Sequence, residues 1–263
     1  MKVKVNYEVL VTGLDEGVFT LTLNRPSRMN AFNQVLLDEF HQAVNEAEQS
    51  QEVRCLVISG GEKFFSAGAD ITEVNKINST FNGYAFSRKF QECFGQLEKL
   101  SKPVIAAVRG YALGGGCELM LACDFRIVAE DAKIGMSEVN IGAIPSGGGT
   151  VKLPHLINPL KAKEMLCFGK PISGKVAEEI GLVNKAVLSD QVLAEAYSWA
   201  KELTQKPPLV IKTIKTITAL ATKDVDSLLH YEAQGLGMLS GTEDFKEGTA
   251  AFLEKRKPAF KGI

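Results

Sequence analysis

Histidine is scarce in this chain of 263 residues. His41, His155 and His230 stand far apart and lack the spacing of a ligand set, so no structural or catalytic zinc centre is expected. No CxxC pair occurs. The five cysteines, Cys55, Cys93, Cys117, Cys123 and Cys167, are scattered and odd in number. Three of them lie in apolar strand-like or helix-like contexts, which favours reduced, buried thiols over a disulfide framework. That usage points to the cytoplasm or another reducing compartment. No apolar run approaches the roughly 20 residues of a membrane-crossing helix. The opening MKVKVNYEVLVTG alternates like a strand and lacks the apolar segment of a secretory leader. Nor is charge of one sign in excess: 30 Lys and Arg meet 31 Asp and Glu, a net charge of −1. Such balance gives no electrostatic case for nucleic acid or an anionic membrane as partner. A nucleotide-binding loop is missing too. Gly169–Lys170 and Gly174–Lys175 are followed by Pro171 and Val176 rather than by Ser or Thr, and no GxGxxG follows a first strand.

What is present reads as alternating strands and helices. Residues 7–24 suit two short strands around a turn at Asp15–Gly17. Leu36, Phe40, Val44 and Ala47 recur at helical spacing within 33–49. Residues 54–60 form a short apolar run that suits a buried strand. A second helix is predicted over about 82–100, with Phe86, Phe90, Cys93, Leu97 and Leu100 on one stripe. Residues 102–110 and 124–130 read as further strands, so βαβ units with parallel neighbours are expected. From about residue 190 the pattern turns helical, over 191–204, from Pro207–Pro208 onward, 224–240 and 242–255. The expected organisation is an α/β core over residues 1–190 and a helical region over 191–263. The apolar stripes of that region must pack on the core or on other subunits.

One stretch poses a chemical question. "LGGGCELMLACDF" (113–125) carries Glu118 inside an apolar run just after Gly114, Gly115 and Gly116. Burying a carboxylate costs several kcal/mol unless it is hydrogen-bonded or neutralised, more than the ~2–7 kcal/mol of an unpaired polar group. The first N–H groups of a helix lack internal partners and carry partial positive charge. Glycines let another group approach them closely, so this helix start suits an anion or a developing oxyanion. Glu118 would stand one turn away on the same face. A helix packed tightly through its glycines, with Glu118 in a buried hydrogen bond, explains the stretch equally well. "FFSAGADI" (64–71) offers small residues whose loop N–H groups suit a second oxyanion donor, or simply a tight turn capped by Asp70. "SEVNIGAIPSGGG" (137–149) sets Glu138 beside an apolar, glycine-rich loop, where a solvated glutamate is the plainer reading.

Taken together these stretches resemble the enoyl-CoA hydratase/isomerase, or crotonase, family. The residues that carry the likeness are "LTLNRPSRMNAF" (21–32), "GGEKFFSAGADI" (60–71), "PVIAAVRGYALGGGCELMLACDFRIVAEDAKIGMSE" (103–138) and "IGAIPSGGG" (141–149). It continues through "GLVNKAV" (181–187) to "AFLEKRKPAF" (251–260). The resemblance implies a spiral of ββα turns with a C-terminal helical region that joins subunits into a homotrimer or homohexamer. It implies an acyl-CoA thioester as ligand, with coenzyme A part of the substrate and no separate cofactor or metal. By motif, Ala69 and Gly115 give the two N–H bonds of an oxyanion hole, and Glu118 and Glu138 are the catalytic pair. Ala67, Gly68, Asp70 and Ile71 fall among the substrate-binding residues. Arg25, Arg28 and Lys63 are expected to meet CoA phosphates, joined by Lys255 from a neighbouring segment or subunit; solvated surface charge is the alternative for all four.

The implied reaction is hydration of a 2-enoyl-CoA to a 3-hydroxyacyl-CoA. Within the family, a 3-enoyl to 2-enoyl isomerase and a hydratase of a cyclic dienoyl-CoA are the alternatives. A hydrolase using Ser66 or Ser146 and a non-catalytic scaffold lie outside it. Four positions depart from the pattern. Met136–Ser137 replaces Gln-Pro before the second glutamate, Ser146 stands at a usual glycine, and Thr72 stands where lysine is common. Phe81, Tyr84, Phe86 and Phe90 lie in the segment that often shapes the acyl site.

Overall fold

The computed structural model describes residues 7–220, 238 and 242–263. The helix expected over 224–240 lies outside the described residues, apart from position 238.

The apolar runs at 54–60 and 102–110 become β3 (Cys55–Ser59) and β4 (Val104–Val108), every residue of which is buried. Strands covered on both faces have no polar side to alternate with. They form the middle of a six-stranded sheet. The sheet starts with β1 (Leu10–Asp15) and β2 (Val18–Leu23), an antiparallel hairpin. Its two-residue turn, Glu16–Gly17, has φ of 45° and 81°, the positive values that match the twist of a hairpin. Beyond β4 come β6 (Phe125–Ala129) and β9 (Lys185–Val187), and all pairings from β2 to β9 are parallel.

A second, smaller sheet holds β5 (Tyr111–Leu113), β7 (Lys133–Gly135) and β8 (Ile172–Ser173). The chain passes from β4 to β5 and from β6 to β7, and Ser66, after β3, bridges Ala112 of β5. The turns of β4 and β6 thus each leave a strand in the large sheet and a short one in the small sheet, while that of β3 adds only the bridge at Ser66. The sequence pattern shows none of the short strands, because three residues carry too little periodicity to register.

Two long helices cover one side. α1 (Gln34–Gln49) is capped by Asn33, whose side chain accepts from the Leu36 N–H. After the one-turn helix α2 (Ile71–Val74), α3 (Thr80–Lys99) is capped by Ser79. Phe32, Phe40, Phe90 and Phe94 meet edge to face between them, with ring centroids 5.3–6.4 Å apart. α4 (Gly115–Leu121) follows β5 directly, and every residue of it is buried. Three helices that the sequence pattern does not reveal follow: α5 (Gly149–Leu156), α6 (Pro159–Phe168) and α7 (Gly174–Glu179).

α8 (Val192–Thr204) buries Val192, Ala196, Ala200 and Thr204 across β2, β3, β4 and β6. It therefore forms a layer of the α/β core. α9 (Pro208–Leu220) is held by Lys215, which pairs with Asp124 at 2.7 Å and donates to the Leu97 and Lys102 carbonyls. The expected stripe on α9 is not sealed: Ile214 is 54% exposed. α10 (Glu243–Glu254) closes the described chain. Among the described residues no helix is long and apolar enough to cross a membrane.

Candidate active site

The glycine triplet answers to two close approaches. Gly114 caps α4 with φ 50°, and a β-carbon there would stand 2.8 Å from Glu138 Oε1. A β-carbon on Gly116 would lie 2.3 Å from the Ser66 carbonyl oxygen. The start of α4 is thereby pressed onto the 66–69 segment. A β-carbon on Gly68 would be 3.1 Å from the Gly115 nitrogen, and one on Gly115 would be 3.4 Å from the Ala69 nitrogen. Those two amides are neighbours. Neither donates a hydrogen bond within the described chain, although Phe32 pairs with the backbone on both sides of Ala69. The site thus presents two adjacent donors with no internal acceptor.

Glu118 lies one turn into α4 and is only 3% exposed. Its Oε1 accepts from the N–H groups of Gly147 and Gly149 at 2.7 and 2.8 Å. Burial raises its pKa above the usual glutamate value, against the pull of those amides and of Lys152. The stretch 113–125 thus combines tight packing through glycine with a hydrogen-bonded carboxylate near the Ala69 and Gly115 amides.

Glu138 opens a 3-10 turn, Glu138–Ile141, just after β7. Its Oε2 is buried without a hydrogen-bond partner among the described residues. Burial, and secondarily the charge of Glu118, push its carboxyl up to about 7. The plain reading of a solvated glutamate does not describe it.

Both carboxyl groups line one pocket of about 420 Å³. Ala67, Gly68, Ala69, Gly114 and Gly115 form its backbone side; Ile71, Val74, Ile77, Phe86, Phe90 and Ile144 supply apolar wall. Phe81 and Tyr84, by contrast, are 76% and 66% exposed and do not line it. Ile71, 58% exposed, stands at the mouth.

Of the other residues singled out in the sequence, Ser146 lines the pocket, while Asp70, Arg25, Arg28, Lys63, Lys255 and Ser66 do not. Asp70 is buried and caps α2, accepting from Thr72 N and Oγ1 and from Arg25 Nη1 at 2.6 Å. Those hydrogen bonds and the guanidinium outweigh its burial and hold its carboxyl down at about 2. Arg25 also donates to the Ala31 carbonyl, so its guanidinium serves the chain itself. Arg28 and Lys63 are exposed on the surrounding loops, and Lys255 is exposed just after α10 with φ 53°. Ser66 is buried, its Oγ donating to the Asn30 carbonyl and accepting from Gly68 N. Neither Ser66 nor Ser146 is hydrogen-bonded to a histidine, among the described residues. No group of three or more His, Cys, Asp or Glu among them could hold a metal ion.

Sequence reasoning missed the amides of Gly147 and Gly149, and it missed Asn30. The buried Asn30 side chain donates to the Gly60, Phe64 and Phe65 carbonyls and so shapes the loop before Ala67. The run Gly147–Gly148–Gly149 was the visible signal for the first, since a loop that must offer its backbone to a carboxylate tolerates little side chain.

The profile of the enoyl-CoA hydratase/isomerase family matches residues 13–263. The chain belongs to that family. Among its relatives, a crotonyl-CoA hydratase of Syntrophomonas wolfei is 41% identical over 256 residues, 97% of this chain and 98% of that protein. A short-chain-enoyl-CoA hydratase of Clostridium acetobutylicum is 39% identical, covering 91% and 92%. The solved enoyl-CoA hydratase from Bacillus anthracis superposes with a TM-score of 0.93 at 34% identity, covering 97% of this chain and all of that one. The crotonase-type fold expected from the motifs is the one observed, and in this family member it sets the two glutamates around one pocket.

Proposed function

We propose that this chain is a hydro-lyase that adds water across the 2,3 double bond of an enoyl-CoA thioester, giving a 3-hydroxyacyl-CoA. The observation that carries the reading is the convergence of the buried Glu118 carboxyl and the half-buried Glu138 carboxyl on a pocket that also contains two amides unpaired among the described residues. Addition of water develops negative charge on the thioester oxygen. The N–H groups of Ala69 and Gly115 take that oxygen, and losing one such donor costs about 2.7–4 kcal/mol of transition-state stabilisation. Glu118 orients the water and accepts its proton. The hydroxide bonds to C3, the 2,3 π bond breaks, and C2 takes a proton from Glu138. Glu118 ends protonated and Glu138 ionised, and exchange with solvent resets the pair. Their environments fit this split: two amides favour the anion at Glu118, while Glu138 has an orphan oxygen and a pKa near neutrality.

An isomerase moving a 3-enoyl bond to the 2 position needs one proton-shuttling carboxylate. Two carboxyl groups around the one pocket favour hydration. The thioester's coenzyme A portion leaves past Ala67, Gly68 and Ile71, and Arg28, Lys63 and Lys255 are the exposed cations suited to its phosphates. Asp70 and Arg25 support that rim by shaping α2. No separate cofactor is required. The unsealed face of α9 supports assembly as a homotrimer or homohexamer. Four buried free thiols suit a reducing compartment such as the cytoplasm.

Crotonyl-CoA is the direct test. Hydration removes the absorbance of its conjugated thioester, a 3-enoyl-CoA would instead gain absorbance, and hydrolysis would release free thiol. Absorbance that never falls over a panel of short, long, branched and cyclic 2-enoyl-CoA substrates would sink the reading.

A further inference from the structure

The two N–H groups that hold Glu118 Oε1 sit where the loop after the 3-10 turn enters α5, around Gly148 at φ 124°. α3 ties this stretch from outside at two places. Ser87 Oγ and Gln91 Nε2 both donate to the Ser146 carbonyl at 2.9 Å. Farther along α3, Glu98 Oε1 pairs with Lys152 Nζ at 2.8 Å. Lys152 stands one turn into α5, and its N–H donates to the Gly148 carbonyl at 2.8 Å. Its side chain lies over Gly148, where an added β-carbon would meet Cε at 2.9 Å and Nζ at 3.2 Å. That side chain is only 24% exposed, so its charge is screened less than a surface lysine's.

We propose that the Lys152–Glu98 ion pair is the positioning device of Glu118: it clamps the Gly147 and Gly149 amides against the carboxylate and stations a positive charge behind it. The inference rests on the hydratase reading in which Glu118 is the base. The titratable and charged groups bearing on Glu118 are Lys152 from α5, Glu138 from the 3-10 turn and the Cys117 thiol of its own helix. α3 adds the apolar Phe90 to the same pocket wall. Lys152 favours the Glu118 anion; Glu138, when ionised, opposes it. Removing the lysine leaves the opposing charge and loosens the two amides.

The test is the pH dependence of crotonyl-CoA hydration by Lys152→Met, Lys152→Arg and Glu98→Gln, beside the unaltered protein. Lys152→Met lowers kcat by about 10-fold or more, since a displacement of about 1 Å costs on the order of 10²-fold. It changes KM little, and it moves the acidic limb of kcat/KM to higher pH. Lys152→Arg restores both the rate and the limb. Glu98→Gln, which frees the lysine but keeps its charge, lowers kcat without moving the limb upward. Lys152→Met with the kcat and acidic limb of the unaltered protein overturns the proposal. If Lys152→Met does not fold, an unchanged kcat in Glu98→Gln overturns it. An unaltered protein with no hydratase activity would instead defeat the reading beneath it, so the two failures are distinct.

Discussion

Glu138 carries a testable conflict between chemistry and stability. Its folded carboxyl titrates at about 7, above the ordinary glutamate value of 4.5, chiefly because it is buried. The folded protein therefore binds this proton more tightly than the unfolded chain does. The stabilisation is complete below the unfolded value and is lost as pH rises from about 4.5 through about 7. Glu138→Gln removes that loss. Melting temperatures should show the variant gaining on the unaltered protein between pH 5 and 8.5, while its turnover falls by about 10²–10⁴-fold, as for a positioned acid. Glu118→Gln should lose turnover to a similar degree. It also places an amide nitrogen or oxygen where Gly147 and Gly149 both donate, and only the oxygen can accept. Because the two carboxyls influence each other, the kcat/KM profile reports the pair. A bell is expected, falling above pH about 7 as the pair loses the proton that C2 must receive. A rate flat from pH 6 to 9 would contradict Glu138 as the acid. Glu118 was legible from the sequence because a lone acid in an apolar run demands an explanation. The state of Glu138 was not, since its burial comes from residues far along the chain.

The legibility of each element follows its length and its partners. α1 and α3 announce themselves through stripes that repeat over several turns, and their Asn33 and Ser79 caps lie at the starts. β3 and β4 are visible as apolar runs. α5 is not, because Gly149 and Pro154 break any helical signature. β5, β7 and β8 have two or three residues each, and only pairing across the small sheet defines them. These hidden pieces set the site, for β5 delivers α4 and β7 delivers Glu138. Position in α4 is consequently sensitive to one methyl group. A β-carbon on Gly116 would lie 2.3 Å from the Ser66 carbonyl, so Gly116→Ala must push the helix start from the 66–69 segment. Overpacking of this kind costs about 1–3 kcal/mol. The Gly115 and Ala69 amides would separate, and kcat should drop more than that loss of stability explains. Thermal melting and initial rates on the same preparation check both effects. Full activity would mean the two amides do not act together.

The molecule as a whole leaves apolar surface that its described residues do not cover. Ile214 on α9 is 54% exposed, and Leu160 and Phe168 on α6 are 77% and 64% exposed. Scattered apolar side chains are normal on any surface, but an amphipathic helix whose stripe remains open needs a second surface. The core cannot provide it, because α9 is already fixed by Lys215 reaching Asp124, the Leu97 carbonyl of α3 and the Lys102 carbonyl just before β4. That anchor holds the helix in place while Ile214 stays exposed, and the proposed assembly would cover it with another subunit. A mass of three or six times the 28.5 kDa chain is therefore expected from light scattering on the purified protein. Ile214→Asp, which should leave the ion pair of Lys215 intact, is expected to shift that mass toward a single chain and to raise the KM for the CoA substrate if Lys255 reaches a neighbour's pocket. A monomeric mass for the unaltered protein at micromolar concentration would remove the subunit assignment for α9, and Lys255 would then have to act, if at all, within its own chain.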